Sequence, residues 1–178
     1  VDADLSTFAK AIGGGIPIAL VGGKAEIMDT FNPNGPVVCS GTCSGTQMAV
    51  RAGLACLELS TEPGFYDHIE MIGDALYSGM NDLFRKYSVP GHVRGLGARF
   101  AIYFGCENPD DDLDLRSTMQ HYDIELGKNF IAGCLQNGLY FHYYGDAAYP
   151  AHCGFGIQHS LDDIAITLER MEKVFSSL

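Results

Sequence analysis

Lysine is scarce in this sequence: Lys10, Lys24, Lys86, Lys128 and Lys173 are the only five among 178 residues. Lys10 alone has an apolar neighbourhood, with Phe8 and Ala9 before it and Ala11, Ile12 and the triplet Gly13-Gly14-Gly15 after it. An ammonium in such surroundings must be paired or give up its proton, and a lysine that gives it up is a nucleophile suited to Schiff-base chemistry. Three successive glycines inside a helix would cost roughly 2–3 kcal/mol relative to alanine, so the triplet reads as a loop where backbone approaches something closely. Two readings fit these residues: a lysine snorkelling from a strand end beside glycines that turn the chain, or an amine held against a planar ligand. A second constellation, Ser40-Gly41-Thr42-Cys43-Ser44-Gly45, leads into a run rich in Ala, Leu and Met. Hydroxyls, free backbone N–H groups and a following helix N-terminus suit a phosphate, although an ordinary helix cap has the same composition. Lys24 follows Gly22-Gly23 with Glu26 nearby, which describes a solvated or loosely paired ammonium and a poor nucleophile.

The elements that must position these groups fall into two textures. Up to about residue 60, glycine and proline punctuate short segments: a buried strand at 16–21, a short helix at 24–30 and a helix at 46–59. Beyond Glu62 the segments lengthen. A helix is expected at 65–87, with Ile69, Ile72, Leu76, Met80 and Leu83 recurring at three- and four-residue steps. A strand or hairpin follows at 93–104, a polar loop at 109–114 and a helix at 122–137 that stops at Gly138. A strand at 138–144 comes next. Ser160-Leu161-Asp162-Asp163 resembles a capping box opening a last helix, with Ile164, Leu168, Met171 and Phe175 on one face.

Other residues draw weaker readings. Gly95-Leu96-Gly97 lacks the third glycine of a dinucleotide fingerprint and reads as a turn or bulge. Asp110, Asp111, Asp112 and Asp114 lack calcium-loop spacing and read as a solvated acidic loop. His142, Tyr143, Tyr144, His152 and Cys153 lie near strand ends, where packing is the default role. Arg94 and Arg99 are candidates for a carboxylate, with alternation expected to place them on opposite or shifted faces. Eleven basic against 22 acidic residues, a formal net charge of −11, argue against nucleic acid as partner. No run approaches the roughly 20 apolar residues of a membrane helix. The six cysteines are scattered without a CxxC pair, so reduced thiols, a cytoplasmic setting and no metal site are expected.

The segment Asp4-Leu5-Ser6-Thr7-Phe8-Ala9-Lys10-Ala11-Ile12-Gly13-Gly14-Gly15-Ile16-Pro17 resembles the cofactor-lysine segment of the class III, fold-type I pyridoxal-phosphate aminotransferases, a family that includes glutamate-1-semialdehyde 2,1-aminomutases. The Ser40 to Gly45 loop is similar to the family's G-T-x-S-G-type loop, and His152-Cys153-Gly154-Phe155 with His159 to Ile164 resembles its closing strand and last helix. The likeness runs over essentially all 178 residues. It implies an α/β fold: the end of the large fold-type I (PLP-transferase) domain at residues 1–58, then the α+β C-terminal small domain at residues 59–178. It implies pyridoxal 5′-phosphate as cofactor, Lys10 as its catalytic aldimine lysine, and Gly41 and Thr42 as cofactor-binding residues, with Thr42 reaching the phosphate of the other subunit in a homodimer. The implied activity is transfer of an amino group between small amino and keto substrates. Alternatives are the aminomutase itself or a truncated, non-catalytic relative. Two departures from the aminomutase pattern stand out: Thr46-Gln47 where Asn-Pro is usual, and Ala151-His152-Cys153 where a carboxylate is usual. The family places a long segment before this lysine, with the ring-stacking aromatic and the acidic partner of the pyridine nitrogen. The chain is therefore expected to be the C-terminal part of an enzyme and to be inactive alone.

Overall fold

The computed structural model describes residues 2–106 and 114–178, so the expected acidic loop around Asp110, Asp111 and Asp112 lies outside the described residues. The chain divides into two compact units, Val1–Phe65 and Tyr66–Leu178.

In the first unit β1 (Leu5–Ala9) pairs antiparallel with β2 (Ala19–Gly23), in register from Leu5 with Gly23 to Ala9 with Ala19. The strand expected at 16–21 begins three residues late. Pro17 has no N–H for a ladder, and the Ile16 N–H is already spent on the Gly13 carbonyl at 2.9 Å. The sequence reading gives no strand at Leu5–Ala9; its ladder depends on partners ten to eighteen residues away. Helix α1 (Ala25–Met28) is shorter than expected, and Lys24 Nζ bonds Asp4 Oδ1 at 2.6 Å in the open. Helix α2 (Gln47–Ser60) matches its expected extent to within a residue and buries only Ala49 and Gly53.

The second unit is a three-stranded antiparallel sheet with helices packed on it. Helix α3 (Phe65–Tyr87) turns Ile72, Leu76, Met80, Leu83 and Phe84 into the core. The hairpin of β3 (Gly91–Leu96) and β4 (Arg99–Phe104) closes at Gly97, whose φ of 54° lies in the left-handed region favoured by glycine. Tyr77 Oη donates to the Gly97 carbonyl at 2.6 Å and fixes this turn; burial and the charge of Asp74 push its hydroxyl up to about 12. Strand β5 (His152–Gly154) adds to the other edge of β4, giving the order β3-β4-β5. Val93, Phe100, Ile102, Phe104 and Cys153 form the buried face.

The hairpin register overturns one expectation. Arg94 pairs with Ala101 and Leu96 with Arg99, so both arginines stand on the same face. A two-residue turn makes paired positions sum to an odd number, which places an even residue of β3 and an odd residue of β4 on one side.

The strand expected at 138–144 is not formed. Exposure alternates along it, with Leu139 and Phe141 against the core and Tyr140 and His142 outward, yet no ladder pairs with it. Alternation reports a half-buried extended chain; a strand also needs a partner edge, and β5 occupies the edge of β4.

The helix expected at 122–137 is preceded by a separate one. Asp114 caps α4 (Leu115–His121), accepting from Arg116 N at 2.8 Å and Ser117 N at 2.9 Å, and Asp123 caps α5 (Ile124–Gln136). Gly138, at φ 73°, follows the end of α5. The capping box expected at Ser160 and Asp163 opens α6 (Leu161–Phe175), which buries Ile164, Met171, Val174 and Phe175.

Candidate active site

Strand β1 delivers the chain directly to Lys10, the first residue of a single 3₁₀ turn (Lys10–Gly13) joining the two strands. The ladder ends at the Ala9–Ala19 pair, so the lysine is the first residue released from it. Its φ is 61°, in the left-handed region that a residue with a Cβ adopts only at a cost. Gly14 and Gly15 follow with φ of 56° and 98°. A Cβ on Gly14 would come within 2.8 Å of Cys56 Sγ, so the glycine loop lies directly against α2. This is the close backbone approach the triplet implies, and the surface approached is a helix of the same unit.

Two expectations about this region differ in outcome. Lys10 is exposed, not enclosed by its apolar neighbours, because Phe8, Ala9 and Ala11 are exposed as well. A two-stranded ribbon, the short α1 and the single longer helix α2 offer too little surface to cover them within the unit. The lysine and the downstream loop do come together. Lys10, Ile16 to Ala19, Gly41 and Cys43 to Thr46 border one cavity of about 690 Å³. Thr42 is exposed and does not line it.

The loop is organised by local bonds: Ser44 N–H donates to the Gly41 carbonyl at 2.9 Å, and Gly45 turns the chain at φ 70°. Thr46 precedes α2 but does not cap it. Its hydroxyl donates to the Cys43 carbonyl at 2.8 Å, and no side chain accepts from the first turn. The N-terminal N–H groups of α2 therefore lack a side-chain cap at the cavity wall where Ala49 and Val50 also stand. The sequence reading gives no role to Ala49 and Val50; their spacing of three and four residues from Thr46 is the signal that places them on one helix face with it.

A primary amine, a glycine loop and a helix start without a side-chain cap around one cavity can hold a small molecule carrying an aldehyde and a phosphate. The residues present fit pyridoxal phosphate in these two respects. Lys24, by contrast, is tied to Asp4. Among the described residues no group of three or more His, Cys, Asp or Glu side chains could hold a metal ion, and no helix is long and apolar enough to cross a membrane.

Comparison with known proteins bears on the family and the fold. The chain is 36% identical over 179 aligned positions to a glutamate-1-semialdehyde 2,1-aminomutase of Francisella tularensis subsp. holarctica (strain LVS), covering 98% of this chain and 39% of that protein. It is 37% identical over 176 positions to the protein of the same name from Dechloromonas aromatica (strain RCB), with the same coverage. The chain thus spans about two fifths of the length of these relatives. Among solved structures, an omega-transaminase from Sphaerobacter thermophilus superposes with a TM-score of 0.78 over 97% of this chain and 38% of that one, at 23% identity, so the fold is shared. The family profile described as aminotransferase class-III matches residues 1–175, and the chain belongs to that family.

Proposed function

We propose that this chain carries the cofactor lysine of a pyridoxal-phosphate-dependent class III transaminase, and that Lys10 is that lysine. The observation that carries the reading is the shared cavity of Lys10 and the Gly41 to Thr46 loop, in a chain of this family. Pyridoxal phosphate, when bound, supplies an electron sink for charge that develops on the substrate's α-carbon. The contributions of the chain are holding and proton transfer. Lys10 Nζ would hold the cofactor at its aldehyde carbon, and as a free amine it would serve as the base that takes the α-carbon proton and the acid that returns it. Gly41 offers backbone at the cavity wall.

Thr42 serves a different place. Its exposure beside, but outside, the cavity supports a role toward a second copy of the chain, with the 40–45 loop at the interface of a homodimer. Light scattering of the complete enzyme should give a dimer; a stable, active monomer would refute this assembly.

The substrates proposed are small amino and keto compounds. Identity of 36–37% to proteins named glutamate-1-semialdehyde 2,1-aminomutase favours a second reading, in which the amino group returns to a neighbouring carbon of the same molecule. Thr46-Gln47 and Ala151-His152-Cys153 depart from the aminomutase pattern and favour transamination. Rapid conversion of glutamate-1-semialdehyde to 5-aminolevulinate by the complete enzyme would decide for the aminomutase.

The test of Lys10 is direct. Borohydride reduction of the complete, cofactor-loaded enzyme followed by peptide mapping should place a pyridoxyl group on the peptide containing Phe8-Ala9-Lys10-Ala11. Lys10→Ala should remove the label and turnover together. A label on Lys24, or full activity in Lys10→Ala, sinks the assignment.

A further inference from the structure

The segment 138–144 is extended yet joins no ladder, so backbone pairing does not hold it to the sheet. Tyr140, His142 and Tyr144 alternate outward, while Leu139 and Phe141 pack on the core. Its tie to β5 is slight in hydrogen-bonding terms: the Cys153 thiol donates to the His142 carbonyl at 3.7 Å. On the outer side two imidazoles meet. His152 of β5 is exposed, and its ring centroid lies 5.1 Å from that of His142, with the planes at 74°. Tyr144 closes the group, its ring centroid 4.9 Å from that of His142 and its Oη 2.6 Å from His152 Nδ1.

Neutral imidazole is the commonest protein ligand for Zn2+ and its neighbours in the transition series. Two imidazoles bonded to one tetrahedral ion at about 2.0–2.1 Å place their ring centres roughly 5 Å apart, and these two already stand at that spacing. Ligation asks of His142 a turn about its Cβ–Cγ bond, a broad torsion for an imidazole, on a side chain that is exposed. Tyr144 is an independent indication. A metal-bound imidazole keeps its other nitrogen protonated and donates it to a fixed acceptor, which sets the ring and raises its basicity. With an ion on His152 Nε2, the ring proton resides on Nδ1 and Tyr144 Oη is in place to accept it, whichever of the two carries the proton in the free chain.

We propose that His142 and His152 together bind one divalent ion of the Zn2+ type and so clasp the 138–144 segment to β5, with Tyr144 orienting the His152 ring. Two protein ligands are fewer than a permanent structural zinc site has, so water fills the remaining positions and the ion exchanges with its surroundings. The excess of acidic over basic residues, 22 against 11, favours a cation as ligand. Arg99 shares the outer face of the sheet, but its side chain runs along Gly154, where a Cβ would stand 3.1 Å from Cδ and Nη1. At an exposed site its charge is screened by salt. The ion joins two stretches of chain that no ladder joins, so its binding stabilises the second unit by mass action.

Calorimetric titration of the full 178-residue chain with zinc chloride tests the clasp, after alkylation of the exposed Cys39 and Cys43 thiols so that they do not compete. Saturable binding is expected. His142→Ala and His152→Ala should each weaken it by about tenfold or more, and Tyr144→Phe by about tenfold, the usual effect of losing the group that orients a ligand. His68, whose Nε2 lies 2.9 Å from the His159 carbonyl, is outside the group, and His68→Ala should leave the affinity unchanged. The urea midpoint of the parent should rise with zinc concentration, and that of His142→Ala should not. No saturable binding, unchanged affinity in any of the three cluster variants, equal weakening in His68→Ala, or a parent midpoint indifferent to zinc overturns the proposal. All three side chains are exposed, so circular dichroism of the metal-free variants is expected to match the parent. His142→Gln and His152→Gln, which keep a polar side chain at each position, repeat the test and should show the same loss. Neither cofactor nor turnover enters the experiment, so its outcome is independent of the Lys10 assignment.

Discussion

Side chain and backbone of Lys10 make opposite demands. Its Nζ has the proposed chemistry, whereas its backbone at φ 61° occupies a region where a Cβ costs roughly 1–2 kcal/mol. Glycine at this position would be freed of that cost, although it also widens the unfolded ensemble. Lys10→Gly is therefore expected to be more stable than Lys10→Ala by about 1 kcal/mol, the reverse of the usual order, as measured by urea denaturation of the two variants. Equal stability, or a more stable alanine variant, would show that the left-handed turn is not held in solution. Lysine scarcity and the Gly13 to Gly15 run made Lys10 legible in the sequence as the residue to watch. Its backbone hand was not legible, because three glycines stand ready to absorb any positive φ. Its exposure was not legible either: the apolar letters around it describe what those residues prefer, and a small unit does not provide enough surface to cover them.

Helix α6 depends on two glycines of its neighbours. A Cβ on Gly133 of α5 would stand 2.7 Å from Val174 Cγ1, and one on Gly79 of α3 would fall among the Leu168 methyls. Alanine is the better helix former by roughly 1 kcal/mol, so Gly133→Ala would stabilise an isolated helix. Here overpacking should reverse the sign, with a net loss of about 1–3 kcal/mol detectable as a lowered denaturation midpoint at unchanged m-value. The N-terminus of α6 gives a pH signature. Hydrogen bonds from the Ser160 hydroxyl and backbone N–H hold the Asp163 carboxyl below the ordinary carboxylate range. A depressed folded value means stabilisation that is complete above about pH 4 and is lost as the pH falls through the lower folded value. Asp163→Asn should thus lower stability at neutral pH and flatten the acid limb of the stability profile; an acid limb identical to the parent's would contradict the box. The element boundaries of α3 and α6 could be read from periodicity and caps, which are local. The missing strand at 138–144 and the common face of Arg94 and Arg99 could not, since both are settled by which edges pair and how long the turn is.

The second unit has one core, and its centre is Phe130, fully buried, with ring centroids 5.1 Å from Phe104, 5.6 Å from Phe175 and 5.8 Å from Phe141. It joins α5, β4 and α6, so Phe130→Ala should cost about 3–5 kcal/mol and lower the cooperative transition of the whole unit. A loss below 1 kcal/mol would mean that the rings close over the gap. The first unit has no counterpart: Val38 and Met48 are 73% and 70% exposed, and its longest helix buries only small residues. The change of texture near residue 60 announced two units, and the concentration of aromatic residues beyond Phe65 foreshadowed the larger core of the second, while which rings meet at its centre depends on pairings distant in the chain. The division at Phe65 also separates the chromophores. All nine tyrosines lie between Tyr66 and Tyr149, there is no tryptophan, and the first unit has only Phe8, Phe31 and Phe65 as aromatic residues. Tyrosine emission therefore originates in the second unit alone, and the visible band of a chromophore attached at Lys10 would originate in the first. Within this chain, tyrosine emission alone can thus follow the second unit during unfolding without any label being introduced.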